Sequence, residues 1–438
     1  MMRREGSSTG PLARLAAPST LAAMVLLCSS MPSSAVQADP YRLRGDALAR
    51  AESPVGLLAL SADGELYPWL SAEAVVWLGA AADSRSVSDG PIGDVLVIVA
   101  RARDPRGRGE ARLGRFVAVT GALRPLHLDG AWINLRLPWR LRLETLAGIP
   151  VDREFSADAY DWAAGGRVSL ALGEWGSAGL AYLHRREAGA LDDEEIGLDA
   201  AYAPLPWLDL AGKVAVDLID PGVAEAHAST AIRRGPWRLE LFALHRSPSR
   251  LLPATSLFST LGDVPSQQAG LSARWRTAPR LDVDASLAVR RIDDSTGTTH
   301  GESLSLRAVL RLDDRGASAL SLEARRERVP GPESLDAGWI GVRGTARVVL
   351  RPGITAAAEV ELVRPDRRHD RRTPVLGSAD DNVVLRDRGA LWPWGLVAVR
   401  WQPGPHWQLA GAIEASASPE YRSRFDALIR ASRSWEVP

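Results

Sequence analysis

The chain has 438 residues, 53 Lys plus Arg against 53 Asp plus Glu, and one lysine, Lys213. The missing basic excess argues against a nucleic-acid partner. A hydrophobic share of 46% and a mean hydropathy of −0.09 fit a soluble protein, and equally a barrel whose strands alternate lipid-facing and water-facing residues.

Arg3, Arg4 and Arg14 precede an apolar stretch centred on Leu21 to Leu27, and Val36-Gln37-Ala38 offers the small residues after which signal peptidases cut. Residues 1–38 are therefore expected to be a signal peptide, and 39–64 a short periplasmic N-terminal segment. Cys28, the single cysteine, raises a lipid anchor, but Leu27 before it is larger than lipoprotein processing favours. A mature chain starting at Asp39 has no cysteine, so disulfides and thiolate chemistry are excluded. No later apolar run is long enough for a transmembrane helix, so membrane entry would be by strands.

From Leu66 to Trp435 period-two alternation recurs. Leu208, Leu210, Val214, Val216 and Leu218 oppose Asp209, Lys213 and Asp217. Leu281, Val283, Leu287 and Val289 oppose Asp282, Asp284 and Arg290. Leu304, Leu306 and Leu310 oppose Arg307 and Arg311. Strands of this length suit a tilted membrane crossing better than a soluble sandwich. Leu210, Val214, Val283 and Leu306 are expected to meet lipid. Val95 to Ala102 and Arg112 to Thr120 alternate poorly, and Ala51 to Asp63 could hold an extra strand.

Connections alternate in length. Tight turns are read near Asp104 to Gly109, Pro138, Gly176, Pro204 to Pro206, Gly235-Pro236, Ala278-Pro279, Asp313 to Gly316, Pro352-Gly353 and Pro403 to Pro405. Longer polar connections are read at Pro150 to Gly166, Ser247 to Gln268, Asp293 to Gly301, Arg326 to Asp336 and Arg364 to Arg388. Trp139, Trp175, Trp207, Trp237 and Trp407 sit at the tight turns, where an aromatic girdle would lie at headgroup level. The expectation is an all-β fold: a single transmembrane antiparallel up-and-down barrel of about twenty strands, eighteen as runner-up, over residues 65–435.

The last strand sets Tyr421, Phe425, Ala427, Ile429 and Trp435 against Arg422, Arg424, Asp426 and Arg430. It resembles the terminal strand read by the outer-membrane assembly machinery, from which it departs by ending Glu436-Val437-Pro438. Leu113-Gly114-Arg115-Phe116 followed by Leu128-Asp129-Gly130 resembles consecutive strands of porin-like bacterial outer-membrane β-barrel proteins of the myxobacterial type. That resemblance implies a porin-like fold and names no substrate. Read from the residues themselves, Gly114 is equally a bulge glycine and Arg115 an ordinary lumen charge.

The seven histidines show no zinc-helix or nucleophile-elbow spacing, and the acidic cluster Asp192 to Glu195 reads as solvated turn residues before it reads as a cation site. No enzyme, cofactor or metal is expected. The functional expectation is a passive porin-like channel for small hydrophilic solutes in the bacterial outer membrane of a Gram-negative cell. Its pore lining would be Arg140, Arg142, Glu144, Asp209, Lys213, Asp217, Arg238, Glu240, Asp282, Asp284, Arg290, Arg307, Arg311, Glu323 and Arg325. The apolar Leu251, Leu252, Leu257, Phe258 and Leu261 suggest that Ser247 to Gln268 folds inward as the constriction, or caps the loops outside. The charged run Arg364 to Arg372 is expected to face water or lipopolysaccharide phosphates. Partners would be outer-membrane lipid and lipopolysaccharide and the assembly machinery. The alternative is a scaffold barrel of a larger envelope complex, with a partner in its lumen. With strands starting soon after Asp39, no plug or periplasmic receptor domain is expected, and energy-coupled transport drops out.

Overall fold

The computed structural model describes residues 41–51, 55–81, 92–151, 161–187, 189–246, 266–294, 297–329, 337–365, 391–417 and 424–437. The first strands are β1 (Tyr41–Arg50), β2 (Val55–Tyr67), β3 (Leu70–Ala81), β4 (Ile92–Arg103), β5 (Gly109–Ala118), β6 (Leu126–Arg136) and β7 (Leu141–Pro150). There follow β8 (Trp162–Ala171), β9 (Gly176–Glu187), β10 (Ala190–Leu205), β11 (Leu208–Asp217), β12 (Gly222–Arg234), β13 (Trp237–Arg246), β14 (Ser266–Ala278) and β15 (Leu281–Asp294). The last are β16 (Gly297–Arg311), β17 (Ala319–Val329), β18 (Ala337–Arg351), β19 (Ile354–Pro365), β20 (Trp392–Gly404), β21 (Trp407–Ser416) and β22 (Arg424–Val437). Each strand pairs antiparallel with the next. β22 pairs with β1 from Tyr41↔Val437 to Arg50↔Leu428, so the 22-stranded sheet closes on itself. Closure leaves no unpaired edge, the condition for a sheet to stand in hydrocarbon.

The two faces can be followed from strand to strand because paired residues point the same way. One row runs Leu143, Val168, Leu180, Leu198, Val214, Ala226 across β7 to β12. Its aliphatic side chains are open to the surroundings, Leu198 by 56%. The neighbouring row runs Glu144, Arg167, Ala181, Gly197, Ala215, Glu225. The aliphatic face is the outside of the barrel, and the charged and small face lines the lumen.

Both ends of the described barrel and most of the short turns share one rim, called here the near rim; the far rim carries the longer connections, but β9 and β10, β11 and β12, and β15 and β16 are also joined by short links there. Pro68-Trp69, Pro206-Trp207, Gly235-Pro236, Pro279-Arg280, Pro352-Gly353 and Pro405-His406 each link two strands at the near rim. At Pro352-Gly353 the proline presets the first turn position and Gly353 takes φ +79°, the type II arrangement that a side chain would resist.

Three expectations are corrected. Residues 39–64 are not a periplasmic segment, since β1 and most of β2 occupy them and complete the ring. The outward residues of β1 after Leu43 are Gly45, Ala47 and Ala49, too small to display the alternation. The connection read at Asp293 to Gly301 is largely strand, since β15 and β16 stay paired to Asp294↔Gly297, and the one read at Arg326 to Asp336 begins as strand, since β17 continues to Val329. Their outward residues Arg291, His300, Glu302, Arg326 and Arg328 are polar, yet the ladder continues through them above the apolar belt. Likewise Pro150 to Gly166 shortens, because β8 begins at Trp162.

Candidate functional site

On the lumen wall, fourteen of the fifteen expected pore-lining residues share the inward face by register. Arg142 and Glu144 lie on β7, Asp209, Lys213 and Asp217 on β11, and Arg238 and Glu240 on β13. Asp282, Asp284 and Arg290 lie on β15, Arg307 and Arg311 on β16, and Glu323 and Arg325 on β17. Arg140 is the exception. It stands in the near-rim turn before β7 at φ 63°, beside Trp139 at φ 58°, and this left-handed pair turns Trp139 outward to 84% exposure.

Most of these charges are matched by neighbours rather than free. Arg142 lies 3.2 Å from Glu144, Arg167 is 3.2 Å from Glu144 and 2.5 Å from Asp199, and Lys213 is 2.8 Å from Glu225. Asp209 meets Arg233 at 2.7 Å and Arg238 meets Glu240 at 3.2 Å. Asp282 is buried beneath Arg274 (3.0 Å), Arg276 (3.4 Å) and Arg311, while Asp284 lies 3.6 Å from Arg274. Arg325 pairs with Glu361 and lies 3.8 Å from Glu323. Arg290 and Arg307 stand in the same wall opposite Gln268 and Asp284. Asp217 is diverted, since its carboxylate accepts from the amides of Ile219 (2.8 Å) and Asp220 (3.1 Å) and holds the far-rim turn. Pairing leaves a wall of fixed dipoles that carries both signs of charge.

The structure shows an inward segment that the sequence reading missed. The connection between β5 and β6, residues 119–125, lies against the lumen wall. Thr120, Ala122 and Leu123 are buried, and a turn closes through Leu123 N to Thr120 O at 3.1 Å. Leu123 packs into a cluster with Val99, Phe116, Leu126, Leu128, Leu146 and Leu183. A Cβ added to Gly121 would lie 2.5 Å from Asp199 Oδ2 and 2.6 Å from Arg167 Cδ, both mid-strand positions, so the segment reaches far down the wall. Arg124 anchors it to Asp193 on β10. This explains the poor alternation of β4 and β5: inward Val97, Val99, Phe116 and Ala118 meet protein, not water. The expected constriction from Ser247 to Gln268 lies outside the described residues up to 265, as does the run after Pro365.

Arg115 corrects a second reading. It points outward, with Nε 2.7 Å from Asp129 Oδ1, Nη2 2.7 Å from Asp129 Oδ2 and Nη1 3.6 Å from Asp94. The cause is a crease at Gly114, Gly130 and Gly148, which pair across β5, β6 and β7. A Cβ on Gly130 would lie 2.2 Å from Ala147 O, so the inner surface bends too tightly for side chains. Outward neighbours splay, leaving a recess of about 500 Å³ lined by Val95, Ile98, Leu113, Arg115 and Asp129.

The five expected girdle tryptophans lie at the near rim, with Trp175, Trp207, Trp237 and Trp407 between 42% and 50% exposed. Trp275, Trp401 and Trp435 join them, and Trp237 stacks on Trp275 at 4.8 Å. The Asp192 to Glu195 cluster splits between faces, with Asp193 and Glu195 inward and buried, and Glu194 outward beside the Tyr182 hydroxyl.

No protein-family model and no curated protein matches the chain. Solved structures do. The ferric enterobactin receptor PfeA, in complex with BCV-L6, matches at TM-score 0.56 and 9% identity, over 91% of this chain and 82% of that one. The FrpB iron transporter from Neisseria meningitidis matches at TM-score 0.54 and 9% identity, over 90% and 81%. The translocation pore of the P pilus usher, PapC, matches at 0.49 and 11%, over 92% and 100%. At these identities the likeness is one of fold, that of a large closed antiparallel barrel of the bacterial outer-membrane kind.

Proposed function

We propose that this chain is an outer-membrane channel that admits small hydrophilic solutes passively. The observation behind the reading is the sorting of the closed wall: aliphatic and tryptophan-bounded outside, charged and internally paired inside. A soluble barrel has no use for an aliphatic exterior ending in a tryptophan ring. A ring of this strand number encloses more space than its own wall side chains fill, and residues 119–125 narrow it from one side. In this reading residues 1–38 are removed on export, the near rim faces the periplasm, and β22 is the strand read by the assembly machinery. The outward polar band of Arg291, Arg326 and Arg328 then lies where lipopolysaccharide phosphates begin. The myxobacterial likeness rests on Leu113 to Phe116 and Leu128 to Gly130 and adds no solute.

Liposome swelling tests the proposal. Vesicles carrying the refolded protein should admit small neutral and charged solutes at rates that fall with solute size and depend weakly on sign. Folded barrels that leave vesicles impermeable would reject passive passage and favour a scaffold whose lumen a partner fills.

A further inference from the structure

Six tryptophans lie off the near-rim girdle, Trp77, Trp132 and Trp162 among them, and the other three stand together. Trp339 on β18 and Trp392 and Trp394 on β20 carry the lumen parity, close to the far rim. The register runs Trp339↔Pro365 and Gly341↔Val363↔Trp392, then Arg343↔Glu361↔Trp394, in step with inward Arg325. β19, between them, offers only Pro365, Val363 and Glu361 at this height. The indoles therefore flank a shallow trough about 10 Å across, with Trp392 and Trp394 about 7 Å apart along their strand.

The trough is built rather than incidental. The Arg325 guanidinium lies 5.2 Å from the Trp339 ring centre, and a Cβ on Gly341 would come within 2.9 Å of that ring, so the indole fills space that glycine leaves. Arg325 pairs with Glu361, Arg343 with Glu359 at 2.5 Å, and Trp394 Nε1 donates to Glu414 at 2.7 Å. Among the described residues, Trp392 Nε1 is buried without a hydrogen-bond partner. A buried donor left unmatched is costly and calls for an acceptor.

We propose that Trp339, Trp392 and Trp394 form a subsite for neutral sugars on the lumen wall. A pyranose presents an apolar C–H face that fits an indole and a rim of hydroxyls that both donate and accept. Those hydroxyls match the paired carboxylates and guanidinium groups, and one can accept from Trp392 N–H. An organic cation suits the trough less well, because Arg325 already lies over Trp339, and Glu361 and Glu359 are paired with Arg325 and Arg343. A purely apolar ligand would strip water from the charges without replacing it. The inference names a solute class for the proposed channel and rests on that reading for passage, but not for binding.

Calorimetry on the detergent-solubilised barrel tests binding directly, with cellobiose and lactose as sugars, choline as the organic cation and a polyethylene glycol of similar size. The disaccharides should bind saturably, the glycol should not, and choline should bind more weakly. Trp392→Ala or Trp394→Ala should weaken sugar binding about tenfold, the worth of one aromatic contact. Trp394→Phe, a milder change should the alanine variants misfold, should weaken it less, and Trp275→Ala on the outer girdle should leave it unchanged. Choline binding without sugar binding, glycol indistinguishable from sugar, or equal loss from Trp275→Ala would each overturn the subsite. Bilayer currents separate the two claims: a barrel that binds sugar but never conducts keeps the subsite and loses the channel. One that conducts and binds no sugar does the reverse.

Discussion

Arg124, in the connection between β5 and β6, donates its Nη1 hydrogen bond to the Asp193 carboxylate on β10 and so ties residues 119–125 to a wall four strands away. The side chain of Asp193 is only 5% exposed, so the tie is shielded from water.

Asp193→Ala should loosen this segment and lower stability by about 2 kcal/mol, the worth of a charged hydrogen bond. Hydrogen exchange of residues 119–125 should accelerate while the amides of β15 and β16 keep their protection. Unchanged exchange in the segment would mean that the apolar cluster around Leu123 holds it unaided.

Facing gives a second outcome. Leu306, 54% exposed on the outer face, replaced by arginine should cost about 2–4 kcal/mol in a bilayer. Asp209→Arg on the lumen face should cost about 1 kcal/mol or less, since it removes one exposed pair with Arg233. Urea midpoints in lipid vesicles measure both. Equal losses would point to a packed interior and not a lumen.

The crease predicts a third. Gly130→Ala places a methyl 2.2 Å from Ala147 O and 2.5 Å from Gly148 Cα, backbone atoms that cannot step aside alone. The variant should lose about 1–3 kcal/mol, whereas Gly411→Ala, where nothing lies within 4 Å, should lose little. The heat-induced gel shift of the two variants makes the comparison.

A fourth concerns acid. In the near-rim turn between β16 and β17, the amides of Ala317 (2.9 Å) and Ser318 (2.5 Å) donate to Asp313 and hold its carboxyl below the usual carboxylate range. A depressed folded-state value stabilises the turn above the unfolded value of about 3.9 and loses that support as pH falls through the folded value. Exchange of the amides at 316–318 should therefore rise only in strong acid. In Asp313→Asn it should be raised at neutral pH and flat with acidification. A wild-type turn that opens well above pH 4 would contradict this.

The barrel was legible wherever lumen charge and outer aliphatics alternate cleanly, as in β11, β15 and β16. It was hidden where one face stops signalling. β1 is masked by Gly45, Ala47 and Ala49 outside, and β4 and β5 by the inward apolar set that meets Leu123. The upper ends of β15 to β17 read as loops because Arg291, His300 and Arg326 lie above the belt although their backbone stays paired. Period two assigns residues to faces, so the lumen row could be named in advance. Arg115 escaped because a three-strand glycine crease, visible only through cross-strand register, decides what its outward position means.

The central claim is an open channel narrowed by residues 119–125, and single-channel recording in planar bilayers tests it most directly. Wild-type barrels should give discrete, stable conductance steps with weak selectivity between cations and anions, and replacing Thr120 to Arg124 by a short glycine-serine linker should raise the step size clearly. Folded wild-type barrels without conductance would contradict the channel, and an unaltered step in a folded linker variant would remove the segment from the permeation path.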